Sequence, residues 1–313
     1  MSLFLSPPTD PKIQIENRAS YFSSSSEQVT WSSFADNPSI GTNNQLGIVD
    51  LNHLETISMD ASLDLPRILC LHGGGINALI FRMQCRVLER RLRSHFRLVY
   101  AEAPLPARPG PDVTAAYKDH GPFKAWLRVQ PTDPVLNEYQ IVDGIKDSIS
   151  AAQQADDKRG ASGEWVGLLG FSQGAHLAAS ILANQQILHN AADPVYRFAI
   201  LLAGRGPLRW LNPDLPMPPG FIDAAQCTTG QELVDNMEYK DCRVRIPTVH
   251  VHGMADPNLG LHRRLLYEYC DWRCATLVEW DGDHRVPFKA KDVMSVVQEI
   301  INVAQRTGVM TAS

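Results

Sequence analysis

Short apolar runs alternate with helical stretches from residue 65 onward, and this pattern constrains the fold most strongly. The apolar runs predict buried strands. Between them, apolar residues recur at intervals of three and four, which predicts helices that lay one face on a sheet. The alternation is typical of an α/β fold with a mostly parallel sheet and helices on both faces. The six predicted strands are Arg67–His72, Arg97–Ala101, Trp165–Leu169, Phe198–Leu202, Thr248–His252 and Thr276–Glu279.

Two long irregular connections interrupt the alternation. Ala103–Pro134 holds seven prolines in 32 residues, and Gly204–Ile246 begins with a proline cluster around apolar side chains. Long loops in a compact domain are frequently lids or binding elements. We therefore expect both segments to wall a cleft, with 204–246 as a lid-like insertion; plain surface loops are the alternative. The candidate substrate-binding residues on these walls are Trp126, Trp210 and Met217.

A G-x-S-x-G motif supplies the candidate nucleophile. Gly170-Phe171-Ser172-Gln173-Gly174 stands directly after a predicted strand and before the helix-forming run Ala175–Ala183. In isolation such a match occurs by chance, and its serine is then more often a helix N-cap. A tight turn from strand to helix needs small residues on both sides of an exposed serine, because neighbouring backbone crowds it. In this context the motif predicts that Ser172 is a catalytic nucleophile.

A serine hydroxyl needs a base, and an imidazole held by a carboxylate is the usual one. His284 follows the last predicted strand and is the candidate base. Asp256 follows the strand before it and is the candidate acid, with a plain turn residue as the alternative. Asp281 and Asp283 are rival acids, but their closeness in sequence to His284 hinders contact with its ring. The chain order serine, aspartate, histidine is that of an α/β-hydrolase.

Two backbone N–H groups would form the oxyanion hole of such a site. The N–H of Gln173, the residue after the nucleophile, is the first candidate donor. The second is expected in the glycine run that ends the first strand, where we favour Gly74 and keep Gly75 in reserve. The other histidines near strand ends, His72, His176, His250 and His252, are expected to be packed or hydrogen-bonded.

Composition excludes several other classes of function. The chain has 313 residues, with 29 Lys and Arg against 34 Asp and Glu, a net charge of −5. Nucleic-acid binding needs a basic surface and is not expected. No apolar stretch of membrane-spanning length and no signal-like start is present, so we expect a cytoplasmic protein. Metal-ligand spacing is also missing, so no metal and no cofactor are expected.

The first 64 residues differ in composition from the remainder. They contain a serine run, Ser23–Ser26, few apolar clusters and several helix breakers. We interpret 1–64 as a weakly ordered extension without catalytic residues, and 65–313 as the catalytic domain. The oligomeric state is not readable from the sequence.

Several separated runs resemble the fungal serine hydrolase family, often abbreviated FSH, a branch of the α/β-hydrolases. Together they cover about residues 66–300, and the first 64 residues have no counterpart in the pattern. The Gly-Phe-Ser-Gln-Gly run alone also suits acyl-protein thioesterases and carboxylesterases. Asp283 stands where relatives often have a second glycine. The matching runs are Ile68–Asn77, Ile80–Gln84, Ala101–Pro104, Gly121–Phe123, Leu168–Ala175 and Gly282–Pro287.

The resemblance implies hydrolysis of an ester or thioester with Ser172, Asp256 and His284 as the triad. Many fungal relatives are encoded with polyketide pathways, so it also implies a small-molecule acyl substrate, including a polyketide bound to a carrier protein. A general carboxylesterase and an acyl-protein thioesterase are the alternatives within the same chemistry. A non-hydrolytic cyclase or a binding protein on the same fold is the alternative outside it.

Overall fold

The computed structural model describes residues 62–110, 113, 116–128, 130–188, 196–227 and 243–311. The predicted N-terminal extension, apart from its last three residues, lies outside this described part of the chain. Part of the lid-like insertion, residues 228–242, lies outside it as well. Among the residues described, no helix combines the length and the apolar character needed to cross a bilayer.

In the part of the chain that the structure describes, ten strands form one large sheet and two small ones. The large sheet has the order β10-β9-β6-β5-β1-β2, and all of its strand pairs are parallel. Its six strands are the six that the sequence predicts; two have the predicted ends, and the other four differ by one or two residues at one or both ends. The strands are β1 Arg67–Leu71, β2 Arg97–Ala101, β3 Leu105–Ala107, β4 Phe123–Ala125, β5 Trp165–Phe171, β6 Phe198–Leu202, β7 Leu208–Trp210, β8 Phe221–Asp223, β9 Thr248–Gly253 and β10 Ala275–Trp280.

Helices cover both faces of the large sheet, as the sequence predicts. Strand residues alternate between the two faces, so Ile68 and Cys70 of β1 belong to one buried cluster while Leu69 and Leu71 belong to the other. The first cluster includes the apolar stripes of the first and last helices, and the second includes those of the two long middle helices. The helices are α1 Ala78–Leu92, α2 Glu138–Asp157, α3 Gln173–Leu188, α4 Leu259–Arg264, which continues into a π-helical turn at Leu265–Tyr269, and α5 Ala290–Arg306.

The two proline-rich connections contain short strands that the sequence does not reveal. In the first, β3 and β4 pair antiparallel, and in the second, β7 and β8 pair in parallel. Each of these strands has three residues, which is too short for an alternating pattern to show. The second ladder is fixed to α3 by Asn184, whose side chain donates to the Arg209 carbonyl and accepts from the Leu211 N–H. Both connections emerge at the carboxyl edge of the large sheet.

Candidate active site

Ser172 occupies the turn between β5 and α3. Its φ is 51°, a left-handed conformation that is uncommon for a residue with a side chain. The Ser172 N–H donates to the Leu202 carbonyl of the neighbouring strand at 2.8 Å, which holds the turn against the sheet. Such strained backbone persists only where its surroundings enforce it, and it is concentrated at functional sites.

The glycines on either side of Ser172 permit this turn. A Cβ on Gly170 would lie 2.3 Å from the Gly174 carbonyl oxygen, and a Cβ on Gly174 would lie 1.9 Å from the Leu71 carbonyl oxygen. Both contacts are with backbone, which cannot rotate away as a side chain can. The crowding expected from the motif is therefore present, and no larger residue fits at either position.

The loops that carry Asp256 and His284 follow adjacent strands and are tied to each other. Asp256 comes three residues after β9, and His284 comes four residues after β10. The Ala255 N–H donates to the Gly282 carbonyl at 2.9 Å. Gly253 allows the two loops to meet, because a Cβ there would lie 2.4 Å from the Asp283 carbonyl oxygen. This contact brings the carboxylate and the imidazole to the same edge of the sheet.

The structure brings Ser172, His284 and Asp256 into one chain of hydrogen bonds. His284 Nε2 lies 2.9 Å from Ser172 Oγ, and His284 Nδ1 lies 2.6 Å from Asp256 Oδ2. The ring packs against Phe171 with its centroid 5.1 Å away. A carboxylate accepts from Nδ1–H, so Nε2 is free of hydrogen and accepts from the serine hydroxyl. This is the tautomer in which the ring can take the hydroxyl proton.

Asp256 is buried and surrounded by hydrogen-bond donors. Its Oδ1 accepts from the Asn258 N–H at 2.8 Å, so the same side chain also organises the turn after β9. Burial alone would raise the pKa of Asp256. The hydrogen bonds from His262, His284 and the Asn258 N–H outweigh burial and hold the pKa well below its ordinary range. The carboxyl group is therefore ionised at neutral pH.

His262 is a member of this group that sequence reasoning missed. Its Nε2 lies 2.9 Å from Asp256 Oδ2 and its Nδ1 lies 2.9 Å from the Gly204 carbonyl oxygen. The residue is 1% exposed. Asp256 and His262 are six residues apart and are joined through a turn, so they share no helix face. No spacing rule for the chain would have linked them.

The rival acids lie elsewhere. Asp283 Oδ1 pairs with Arg285 Nε at 3.1 Å, and both side chains are about half exposed. Asp281 is exposed. Neither carboxylate shares the buried position that Asp256 takes against the His284 ring.

The candidate oxyanion donors lie next to the turn between β5 and α3 that carries Ser172. The Gln173 N–H is the first of α3, and the first N–H groups of a helix have no acceptor within it. Gly74 borders the same residue, since a Cβ on Gly74 would lie 3.2 Å from Gln173 Oε1. The Gly75 N–H instead donates to the Lys124 carbonyl at 2.8 Å. That bond removes Gly75, the reserve candidate, and leaves Gly74.

Of the three predicted wall residues, Trp126 is buried and does not line the cavity that the other two share. Its indole N–H donates to the His72 carbonyl at 2.9 Å, so it supports the loop after β1. Its place in a proline-rich segment is the ground for the wall assignment, which stays a prediction. Trp210 and Met217 do line a common cavity of about 230 Å³, together with Glu138, Pro213, Leu215 and Asp223.

The remaining histidines are packed or hydrogen-bonded, as expected. His72 Nε2 accepts from the Ala103 N–H at 3.0 Å, and His176 Nε2 lies 2.5 Å from the Pro207 carbonyl oxygen. Burial lowers the pKa of His176 to about 3 and that of His250 to about 3. The His176 and His250 rings are therefore neutral at physiological pH.

Within the described part of the chain, one group gathers three metal-ligand atoms: Asp256, His262 and His284, all within 4.8 Å of one another. Their spacing is compatible with a cation. However, both rings point a nitrogen at the same oxygen, Asp256 Oδ2, at 2.6 and 2.9 Å, which are hydrogen-bond distances. We therefore treat the three as a hydrogen-bonded group and not as metal ligands.

Known serine hydrolases and esterases are similar to this chain in sequence. A family model described as Serine hydrolase (FSH1) matches residues 61–296. The chain is 55% identical over 266 residues to esterase dbaE of Emericella nidulans, covering 80% of this chain and 95% of that relative. It is 49% identical over 263 residues to esterase pigG of Monascus ruber, covering 81% and 96%. A solved carboxylesterase from Mesorhizobium loti matches with a TM-score of 0.43 and 19% identity, covering 75% of this chain and 88% of that one.

Proposed function

This chain belongs to the serine hydrolase (FSH1) family, as its motifs predicted, and on that premise we propose that it cleaves an ester or thioester of a small-molecule acyl chain through an acyl-enzyme on Ser172. The observation that carries the proposal is the unbroken hydrogen-bond chain from Ser172 Oγ through His284 to Asp256, with distances of 2.9 and 2.6 Å. The esterases at about 50% identity support the reaction class.

In the first half of the reaction, Ser172 Oγ attacks the acyl carbonyl carbon while His284 Nε2 takes the hydroxyl proton. The ring becomes an imidazolium, which the ionised carboxylate of Asp256 stabilises through Nδ1. His284 then returns the proton to the oxygen or sulfur of the leaving group as its bond to the acyl carbon breaks. The acyl group stays on Ser172 as an ester.

The oxygen of the attacked carbonyl becomes negatively charged during this step. The N–H groups of Gln173 and Gly74 are the donors that we assign to it. A preorganised donor of this kind typically contributes on the order of 10²–10³ in turnover. The N-terminus of α3 adds a favourable dipole at the same point.

In the second half, His284 takes a proton from a water molecule as its oxygen attacks the acyl carbon. The ring then returns that proton to Ser172 Oγ, and the free acid leaves. Asp256 stays ionised throughout, because its hydrogen bonds favour the charged form.

The acyl group that we propose is a fungal secondary metabolite of polyketide type, free or attached to a carrier protein. Trp210 and Met217 remain the proposed walls, since they line the cavity in the second connection. The five cysteines that the structure describes are all free, which supports a reducing compartment such as the cytoplasm. The acyl class and the carrier protein rest on the family resemblance, whereas the wall residues rest on the cavity and the compartment on the free cysteines.

A panel of acyl substrates tests the proposal. Short p-nitrophenyl esters, acyl-thioesters and acylated peptides are each mixed with the enzyme, and the first turnover is followed by rapid quenching and intact-mass spectrometry. We expect a burst of leaving group and a covalent acyl adduct with small esters or thioesters. Preference for acylated peptides would indicate an acyl-protein thioesterase. Absence of any adduct or burst across the panel would contradict the hydrolase mechanism.

A further inference from the structure

The acid of the proposed triad has a second histidine partner, His262, whose two ring nitrogens both face oxygen atoms. Nε2 lies 2.9 Å from Asp256 Oδ2, and Nδ1 lies 2.9 Å from the Gly204 carbonyl oxygen. The ring is buried, at 1% exposed, and stacks on the His284 ring with centroids 5.8 Å apart and planes 26° apart. Both contacts have hydrogen-bond length, so each must contain a proton.

Neither oxygen can supply that proton. A backbone carbonyl only accepts. The proton between Asp256 Oδ2 and His262 Nε2 could belong to either group by distance alone. Burial raises the pKa of Asp256, but the hydrogen bonds that it receives outweigh burial and hold the pKa well below its ordinary range, so the carboxyl group is ionised and the proton lies on the ring. A neutral imidazole has one N–H and could satisfy only one of its two contacts. The distances and the ionised carboxylate together place hydrogen on both nitrogens of His262.

We propose that His262 is a buried imidazolium that positions Asp256 and keeps it ionised while His284 gains and loses its proton. This role rests on the proposed function only in assigning catalysis to Asp256 and His284. Through Nδ1 the same ring connects the acid to the segment that follows β6. The carboxylate of Asp256 lies at hydrogen-bond distance and compensates the buried positive charge. An unpaired buried ion would have no such compensation.

The groups around His262 agree with a cation there. Among the described residues, the titratable groups in hydrogen-bond or ring contact with His262 are Asp256, His284 and His252, and its other polar partner is the Gly204 carbonyl. The charged Arg263 is its neighbour in α4. The His252 ring centroid is 5.8 Å from that of His262. Burial is the main cause that lowers the pKa of His252 to about 4; His262 and Arg263 lower it further, and Asp256 opposes them. His252 is therefore neutral and adds no second charge beside the first.

A fixed positive charge at His262 opposes a second one on His284. The free enzyme would keep His284 neutral, and thus able to act as a base, to a lower pH than a triad without this partner. Two unit charges at about 6 Å in a protein interior perturb each other by at least about one pH unit. Neutralising residue 262 must therefore raise the pH at which His284 takes up its proton.

Two substitutions test the two hydrogen bonds of His262 separately. In His262→Gln the amide nitrogen can occupy the place of Nε2, so the donor to Asp256 is kept while the charge is lost. In His262→Asn the amide nitrogen can occupy the place of Nδ1, so the bond to Gly204 is kept while the donor to Asp256 and the charge are both lost. His176→Asn is the matched control, because it removes another buried histidine that bonds a carbonyl, Pro207, of the same segment.

The pH dependence of kcat/KM is measured for the unmodified enzyme and the three variants with a p-nitrophenyl ester. Both His262 variants should move the acidic limb upward by about one pH unit. His262→Asn should also lose about tenfold in kcat, and His262→Gln less, because it retains the donor that orients Asp256. His176→Asn should leave the acidic limb in place. A limb that does not move in either His262 variant would overturn the proposal, since a purely structural histidine would change stability alone.

A second measurement does not depend on activity or on the variants. The unmodified protein is labelled with ¹⁵N, and the His262 ring is observed through its long-range proton–nitrogen couplings at pH 7.5. We expect two protonated ring nitrogens. One protonated and one bare nitrogen would overturn the proposal, whether or not Ser172 proves to be the nucleophile.

Discussion

Replacing Asp256 with Asn removes a charge from the buried group while changing its size little. Asp256 Oδ2 accepts from His284 and His262, and Oδ1 accepts from the Asn258 N–H. An amide has one oxygen and one NH2 group, so one of these donors must then face another donor. The imidazolium that forms on His284 during the reaction also loses its counter-charge. The matched substitution is Asp283→Asn, in the loop that carries His284.

The distances set the size of the effect. The centres of charge of a carboxylate and an imidazolium joined by a 2.6 Å hydrogen bond are about 4 Å apart, which corresponds to about 4 kcal/mol at an effective dielectric constant near 20. That equals a loss on the order of 10³ in kcat. Asp283 pairs with Arg285 at the surface, and an exposed pair of this kind should change the rate by less than about fivefold.

Steady-state kinetics with a p-nitrophenyl ester measures both losses, and thermal unfolding of each variant shows whether the fold survives. Asp256→Asn should lower kcat far more than it changes KM, because the carboxylate acts on the transition state. Asp283→Asn should remain close to the unmodified enzyme. Equal losses in two folded variants, or a larger loss for Asp283→Asn, would refute the assignment of the acid.

Three further predictions follow from the structure, the first of them with a matched control variant. Gly253→Ala places a Cβ 2.4 Å from the Asp283 carbonyl and must displace the His284 loop, so kcat should fall about 10- to 100-fold. Gly260→Ala in α4 is the control, because nothing lies within 4 Å of its Cβ; it should keep kcat and gain about 0.5–1 kcal/mol of unfolding free energy. Equal kcat values for Gly253→Ala and Gly260→Ala would contradict the predicted displacement of the His284 loop. Met217→Trp should fill part of the proposed acyl cavity and raise KM for long acyl esters more than for acetate esters, and an unchanged ratio would remove Met217 from the wall. Stability should fall by more than about 2 kcal/mol between pH 7 and pH 5 in urea titrations, because buried histidines with lowered pKa values stay neutral in the fold but protonate near pH 6.5 when unfolded; a flat profile would contradict the lowered pKa values of His176, His250 and His252.

The sequence predicts the large sheet well because its four central strands are buried almost throughout and therefore appear as mostly apolar runs, while the two edge strands, β2 and β10, keep apolar residues on their buried side. The strand Arg97–Ala101 was predicted with its observed ends. The two proline-rich connections after β2 and β6 do not reveal their short strands, because a three-residue strand is too short to show an alternating pattern and prolines interrupt the sequence there. The burial of Trp126, which directly follows β4, was not readable from the sequence for the same reason.

Some residues of the candidate site could likewise be predicted from the sequence, and others could not. Ser172 could be predicted from the sequence because the glycines on either side of it indicate a crowded turn. Asp256 and His284 were accessible through their places after adjacent strands, since parallel strands end at one edge. His262 was not, because its contact with Asp256 depends on how the turn after β9 folds. Hydrogen-bond geometry is a property of the fold and not of spacing along the chain.

The central claim is that the Ser172 hydroxyl is the group that attacks the substrate. A fluorophosphonate probe reacts covalently with activated serines, so the unmodified protein and Ser172→Ala are incubated with it side by side, and labelled peptides are identified by mass spectrometry. The account predicts one adduct, on the peptide that contains Ser172, and none in the variant. An adduct that persists in a folded Ser172→Ala protein, or that maps to another serine, would contradict it.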